Sequence, residues 1–157
     1  MEYKVDFRGT RSKRLNGRLH SFNDEPAIIY ENGTRHWFQH GVQCRDNDLP
    51  ASIYNNGDRK WYKNDMIHRD NDLPAVVHSD GSQEWYQNGK HHRDNDLPAV
   101  VHSDGSQEWW LNGELHRDNN LPAIILADGH AEWWEHNKRI RKCDYYFAKA
   151  KSANKFL

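Results

Sequence analysis

The sequence predicts an all-β protein, a solenoid or elongated meander of five stacked 24-residue β-hairpin repeats. Three residue types carry that expectation in one register. The prolines fall at Pro26, Pro50, Pro74, Pro98 and Pro122, each followed by alanine and each 24 residues from the next. Gly33, Gly57, Gly81, Gly105 and Gly129 keep the same step, and so do Trp37, Trp61, Trp85, Trp109 and Trp133. Segments Ile67–Lys90 and His91–Glu114 differ at only four of 24 positions. Leu, Ile, Val and Phe make up only 28 of 157 residues, so the seven Trp and seven Tyr must supply much of the core.

Taken in chain order, residues 1–18 form a basic N-terminal cap, with Tyr3-Lys-Val-Asp-Phe alternating as an edge strand. Residues 19–138 hold the five units. Within one unit, Pro98-Ala-Val-Val-His-Ser is a β-branched strand opening at a proline. Asp104-Gly105 supplies the turn, and Ser106-Gln-Glu-Trp-Trp-Leu is the second strand. Asn112-Gly113 is a further turn signal, and His116-Arg-Asp-Asn-Asn-Leu is a polar loop suited to Asx-turns. Each unit therefore reads as one hairpin plus a loop. Residues 139–157 form a basic C-terminal cap, with good helix formers late in the segment predicting a helix over the last hairpin.

Strand alternation sorts the faces. Ala99 and Val101, with Ile29, Ile53, Val77 and Ile125, are apolar in every unit and predict the buried face. The recurring Trp points inward. The residue after it (Phe38, Tyr62, Tyr86, Trp110, Trp134) is always aromatic but changes in kind, which suits either a partly exposed surface or a second thin core.

The segment Glu84-Trp-Tyr-Gln-Asn-Gly-Lys-His-His-Arg, followed by Asp104-Gly-Ser, resembles the MORN (membrane occupation and recognition nexus) repeat, which carries Glu-Trp, Asn-Gly-Lys and His-Gly elements and then an Asp-Gly turn. The likeness covers the five units. It departs where Arg69, Arg93 and Arg117 replace the glycine after the histidine, so the chain looks like a variant of the kind found in phage, giant-virus and bacterial arrays. The resemblance implies a non-enzymatic hairpin solenoid used for protein contacts and sometimes linked to lipids. The likeness to viral arrays implies an antagonist of a host or defence protein.

His20, Cys44, His68, His92 and His116 share one slot. Two strands per repeat separate neighbours in such a column by about 9.6 Å. That is too far to share a metal, so each histidine is expected to bond within its own loop, to the aspartate two residues on. The Arg-Asp-Asn-Asp loops at 45–48, 69–72 and 93–96 lack the glycine and distal glutamate of a Ca²⁺ loop, and read instead as an Arg–Asp ladder between neighbours. Every polar constellation is duplicated, whereas a catalytic centre needs one nucleophile, base and oxyanion site held together. No catalytic residue, cofactor or metal is expected.

What remains is a binding surface. Tyr62, Tyr86, Trp110 and Trp134, with Glu84, Glu108 and Glu132 two positions before an aromatic on the same face, are the candidate partner- or ligand-binding residues. Residues 1–18 carry net +4, residues 19–135 net −11 and residues 136–157 net +6. The acidic middle suits a basic protein partner and repels phosphate, leaving only the basic tails for nucleic acid. The alternative is a small-molecule or glycan sponge with one aromatic pocket per repeat. An uncovered edge strand would favour a homodimer. Membrane binding is not expected, since the longest apolar run, Ala123 to Ala127, is far short of a span. With two cysteines, Cys44 and Cys143, and no signal-like segment, the expected location is cytoplasmic.

Overall fold

The computed structural model describes residues 3–141. Those residues are all-β and contain no helix. They divide between Lys90 and His91 into two compact units. The expected C-terminal helix falls outside the described residues, apart from Arg139 and Ile140, which lie in the strand Lys138–Ile140, and Arg141, which is in no helix or strand.

In the first unit an antiparallel meander runs Lys4–Val5, Arg11–Ser12, Ile28–Ile29, Arg35–His36, Ser52–Ile53, Arg59–Lys60, Val76–Val77 and Gln83–Glu84, each strand bonded to the next. In the second unit the order is Val100–Val101, Gln107–Glu108, Ile124–Ile125, Ala131–Glu135 and Lys138–Ile140. Most of these strands are two residues long. Two hydrogen-bonded residues cannot hold a sheet by themselves, so stability must come from neighbours covering each repeat on both sides.

A unit holds more pairing than one hairpin and a loop. A second, small hairpin follows each inner tryptophan, as in Tyr62–Lys63 with Met66–Ile67 and Trp110–Leu111 with Glu114–Leu115. Asn112 and Gly113 both have positive φ, 53° and 87°, the type I′ geometry whose twist suits a two-residue hairpin loop. The Asp104-Gly105 turn is different. Only Gly105 is left-handed there, at φ 91°, and its N–H bonds the His102 carbonyl, a type I turn closed by a glycine bulge. The polar loops are not built as Asx-turns but as main-chain I′ turns. Asn95 and Asp96 have φ of 62° and 56°, and the Leu97 N–H donates to the Asp94 carbonyl at 3.3 Å.

The proline-linked alanines are at most 1% exposed and sit under Trp37, Trp61, Trp85 and Trp109, all buried. The rest of the expected inner face is shifted by one position. Ser52, Val76 and Val100 are buried, whereas Ile53, Val77 and Val101 are only half-buried. The reason is local: Ala99 occupies a bend just before the two-residue strand, so strict alternation does not run through it. The same pairing pattern also extends into residues 1–18. Lys13 takes the inner-tryptophan slot, buried and ion-paired to Glu25, and its N–H bonds the Ala27 carbonyl as the Trp37 N–H bonds that of Ala51.

Candidate functional site

The aromatic after each inner tryptophan opens the small hairpin and is half-buried: Tyr62 and Tyr86 in the first unit, Trp110 and Trp134 in the second. Cross-strand pairing places Glu84 opposite Val76 in the first unit and, in the second, Glu108 opposite Val100 and Ile124 and Glu132 opposite Ile124. Residues directly opposite share a face.

The carboxylates are committed within the chain. Tyr86 donates its hydroxyl to Glu84 Oε2 at 2.8 Å, and His78 Nε2 lies 2.6 Å from Glu84 Oε1. In the second unit Trp110 donates its indole N–H to Glu108 Oε2 at 2.8 Å, while His102 Nε2 is 3.0 Å from Glu108 Oε1. Trp134 donates likewise to Glu132 Oε2 at 3.0 Å, and Arg139 reaches Glu132 Oε1 at 2.9 Å. Each glutamate therefore fixes a ring rather than presenting a bare charge. Glu84 raises the His78 pKa above its ordinary value. Burial, reinforced by the Glu84 hydroxyl bond, pushes the Tyr86 phenol strongly upward, and burial also raises Tyr62. Trp110 and Trp134 pack against the buried cluster of Trp109, Leu115 and Ala123, so this column is partly core and partly surface.

Behind the small hairpins lies an arrangement the sequence shows only as two columns 21 residues apart. Arg117 lays its guanidinium 3.8 Å over the Trp109 ring, grips Asp96 through Nε and Nη2 at 2.7 and 2.8 Å, and reaches the Pro122 carbonyl at 3.4 Å. Arg45 and Arg69 do the same over Trp37 and Trp61, both at 3.9 Å, with Asp24 and Asp48. The tryptophan N–H in turn bonds the carbonyl of that aspartate slot, as Trp109 does with Asp96 at 3.0 Å. The arginine is thus a planar clamp between consecutive repeats, and it holds Asp24, Asp48 and Asp96 below the usual carboxylate range.

The histidine column is structural too. His68, His92 and His116 face the aspartate two residues on at 2.9, 3.0 and 3.1 Å. The other ring nitrogen of His68 and His92 accepts the N–H of Asn88 and Asn112 at 3.1 Å, which assigns the neutral tautomer with the proton on Nε2. Cys44 occupies the same slot as a buried-side thiol whose pKa burial raises. No group of three or more His, Cys, Asp or Glu positioned for a metal ion occurs among the described residues.

Between adjacent loops lie small grooves in register. One beside Trp37 measures about 190 Å³, one beside Trp61 about 250 Å³, one beside Trp109 about 190 Å³ and one beside Trp133 about 130 Å³. No helix among the described residues is long and apolar enough to cross a membrane. No protein-family model and no curated protein matches the chain.

Proposed function

We propose that the chain is a non-enzymatic binding module that takes a protein partner on its aromatic face. The observation that supports this reading is the locking of Trp110 and Trp134 by Glu108 and Glu132 while the rings stay half-exposed. Aromatics held in one orientation before binding lose little entropy when a partner arrives, which is how anchor residues gain affinity. Tyr86 is held in the same way by Glu84. Protein is favoured over a small ligand because the repeat grooves, at about 130–250 Å³, fall below the roughly 300–1,000 Å³ of sites that enclose small molecules. The resemblance to MORN-type arrays of phages and giant viruses extends the proposal to an antagonist of a host or defence protein.

The test is affinity capture from nuclease-treated host lysate, wild type beside Tyr86→Ala/Trp110→Ala, read by mass spectrometry with circular dichroism confirming the variant's fold. A protein retained by wild type and lost by the folded variant supports the face. Equal retention by both overturns it.

A further inference from the structure

The repeats share one groove design but close it differently. In the first unit Gln39 donates Nε2 to Asp46 at 2.7 Å, and one repeat later Lys63 places Nζ 2.9 and 3.2 Å from the two oxygens of Asp70. Both side chains reach across their groove to an aspartate seven residues on. The lysine stem lies along the groove wall with Trp61, Tyr62 and Leu49, and the ammonium meets the carboxylate at the far lip.

In the second unit the corresponding donor is absent. Leu111 holds the slot, so the groove of about 190 Å³ keeps an apolar wall of Leu97, Trp110 and Leu111. Asp118, at the far lip, is 75% exposed. Its Oδ1 faces His116 at 3.1 Å, and its Oδ2 has no partner among the described residues. Arg117 on the same groove is already gripped by Asp96. The groove lining counts three aspartates against two arginines, an excess of one carboxylate.

The geometry points to this groove as the seat of a lysine side chain supplied by the partner, its stem on Leu97, Trp110 and Leu111 and its ammonium on Asp118, as Lys63 serves Asp70 within the chain. This deepens the protein-binding reading by naming the chemistry of one anchor. Its test needs no partner, so the two fail separately.

The probe is Nα-acetyl-lysine N-methylamide, titrated into the full ¹⁵N-labelled chain, with its Nε-acetylated form as the uncharged control. Saturable shifts are expected at the Leu111 and Asp118 amides and the Trp110 indole, with none from the acetylated form. Leu111→Lys, which installs the arrangement already folded around Lys63, should weaken the probe at least tenfold, and Asp118→Asn likewise. Lys63→Leu should open a second site, read at the Asp70 amide. No saturable shift at Leu111 and Asp118, equal shifts from the charged and acetylated probes, or undiminished binding to Leu111→Lys would each overturn the assignment.

Discussion

Single side chains in this protein do work that a thicker core would spread over many. Arg117 illustrates it: one guanidinium covers the Trp109 face, neutralises Asp96 and satisfies the Pro122 carbonyl. Arg117→Ala should cost about 2–3 kcal/mol, from a lost charge-assisted pair, a lost cation–π contact and an unpaired carbonyl. Arg117→Lys should recover less than half of that, because an ammonium cannot stack flat and fork to a carboxylate together. Urea denaturation of the two variants decides it. His78 adds a pH dependence. Its pKa is raised by Glu84, so its contribution to stability is complete below the unfolded value of about 6.5 and is lost as pH rises through the higher folded value. Between pH 6 and 9 the wild-type Tm should therefore fall more than that of His78→Gln, and parallel curves would show that the pair adds nothing.

At the scale of the element, short strands hand the burden of shape to the turns. Asn95 and Asp96 are consecutive left-handed residues, a conformation that asparagine and aspartate tolerate better than other side chains do. Asn95→Ala should cost about 1 kcal/mol, while Asn95→Gly should lie within about 0.5 kcal/mol of wild type. Equal losses in both would mean that the side chain, rather than the backbone angle, matters there. The turns also mark the limit of what the residues announce. Pro-Ala, Asp-Gly and the tryptophan column declare the repeat and its inner edge, because those types have few alternative uses. The second hairpin was signalled by Asn112-Gly113 but carries only two residues per strand, too few for alternation to register. The shift of the buried position from Val101 to Val100 has the same origin. The arginine and aspartate columns were visible as a ladder, yet their stacking on tryptophan depends on which way a loop folds back. The glutamates of the aromatic face show in the sequence as charges two positions before an aromatic, while the hydroxyl or indole that each one holds depends on side-chain geometry that a sequence does not display.

For the whole molecule, stability must behave as a sum of neighbours. Side-chain bonds that link repeats span nearly one period, Asn88 to His68 over 20 residues, Arg69 to Asp48 over 21 and Gln43 to Asp65 over 22, and Trp61 reaches the Asp48 carbonyl over 13, about half a period. A deletion that respects the period should therefore leave each arginine clamp a partner, at the cost of the His36–Ser52 bond, because Val76 takes the place of Ser52. Removing Gln43–Met66 joins Val42 to Ile67 and brings Arg69 to Asp24, the residue that Arg45 grips in the intact chain. The shortened protein should fold with the same β-type circular dichroism, unfold at lower denaturant and show an m-value smaller by about one sixth, in proportion to the surface removed. Removing Gln43–Asn64 deletes two residues fewer, yet it should be far more damaging. It moves each later tryptophan, arginine and aspartate two positions out of register with the earlier ones, so no clamp can form across the junction. If the two deletions proved equally stable, the clamp bonds would be bystanders and local hairpin propensity would carry the fold. If neither folded, stability would rest on cooperation over more than one neighbouring repeat. Only the expected asymmetry, a folded 24-residue deletion beside a broken 22-residue one, assigns the specificity of the array to its 24-residue register.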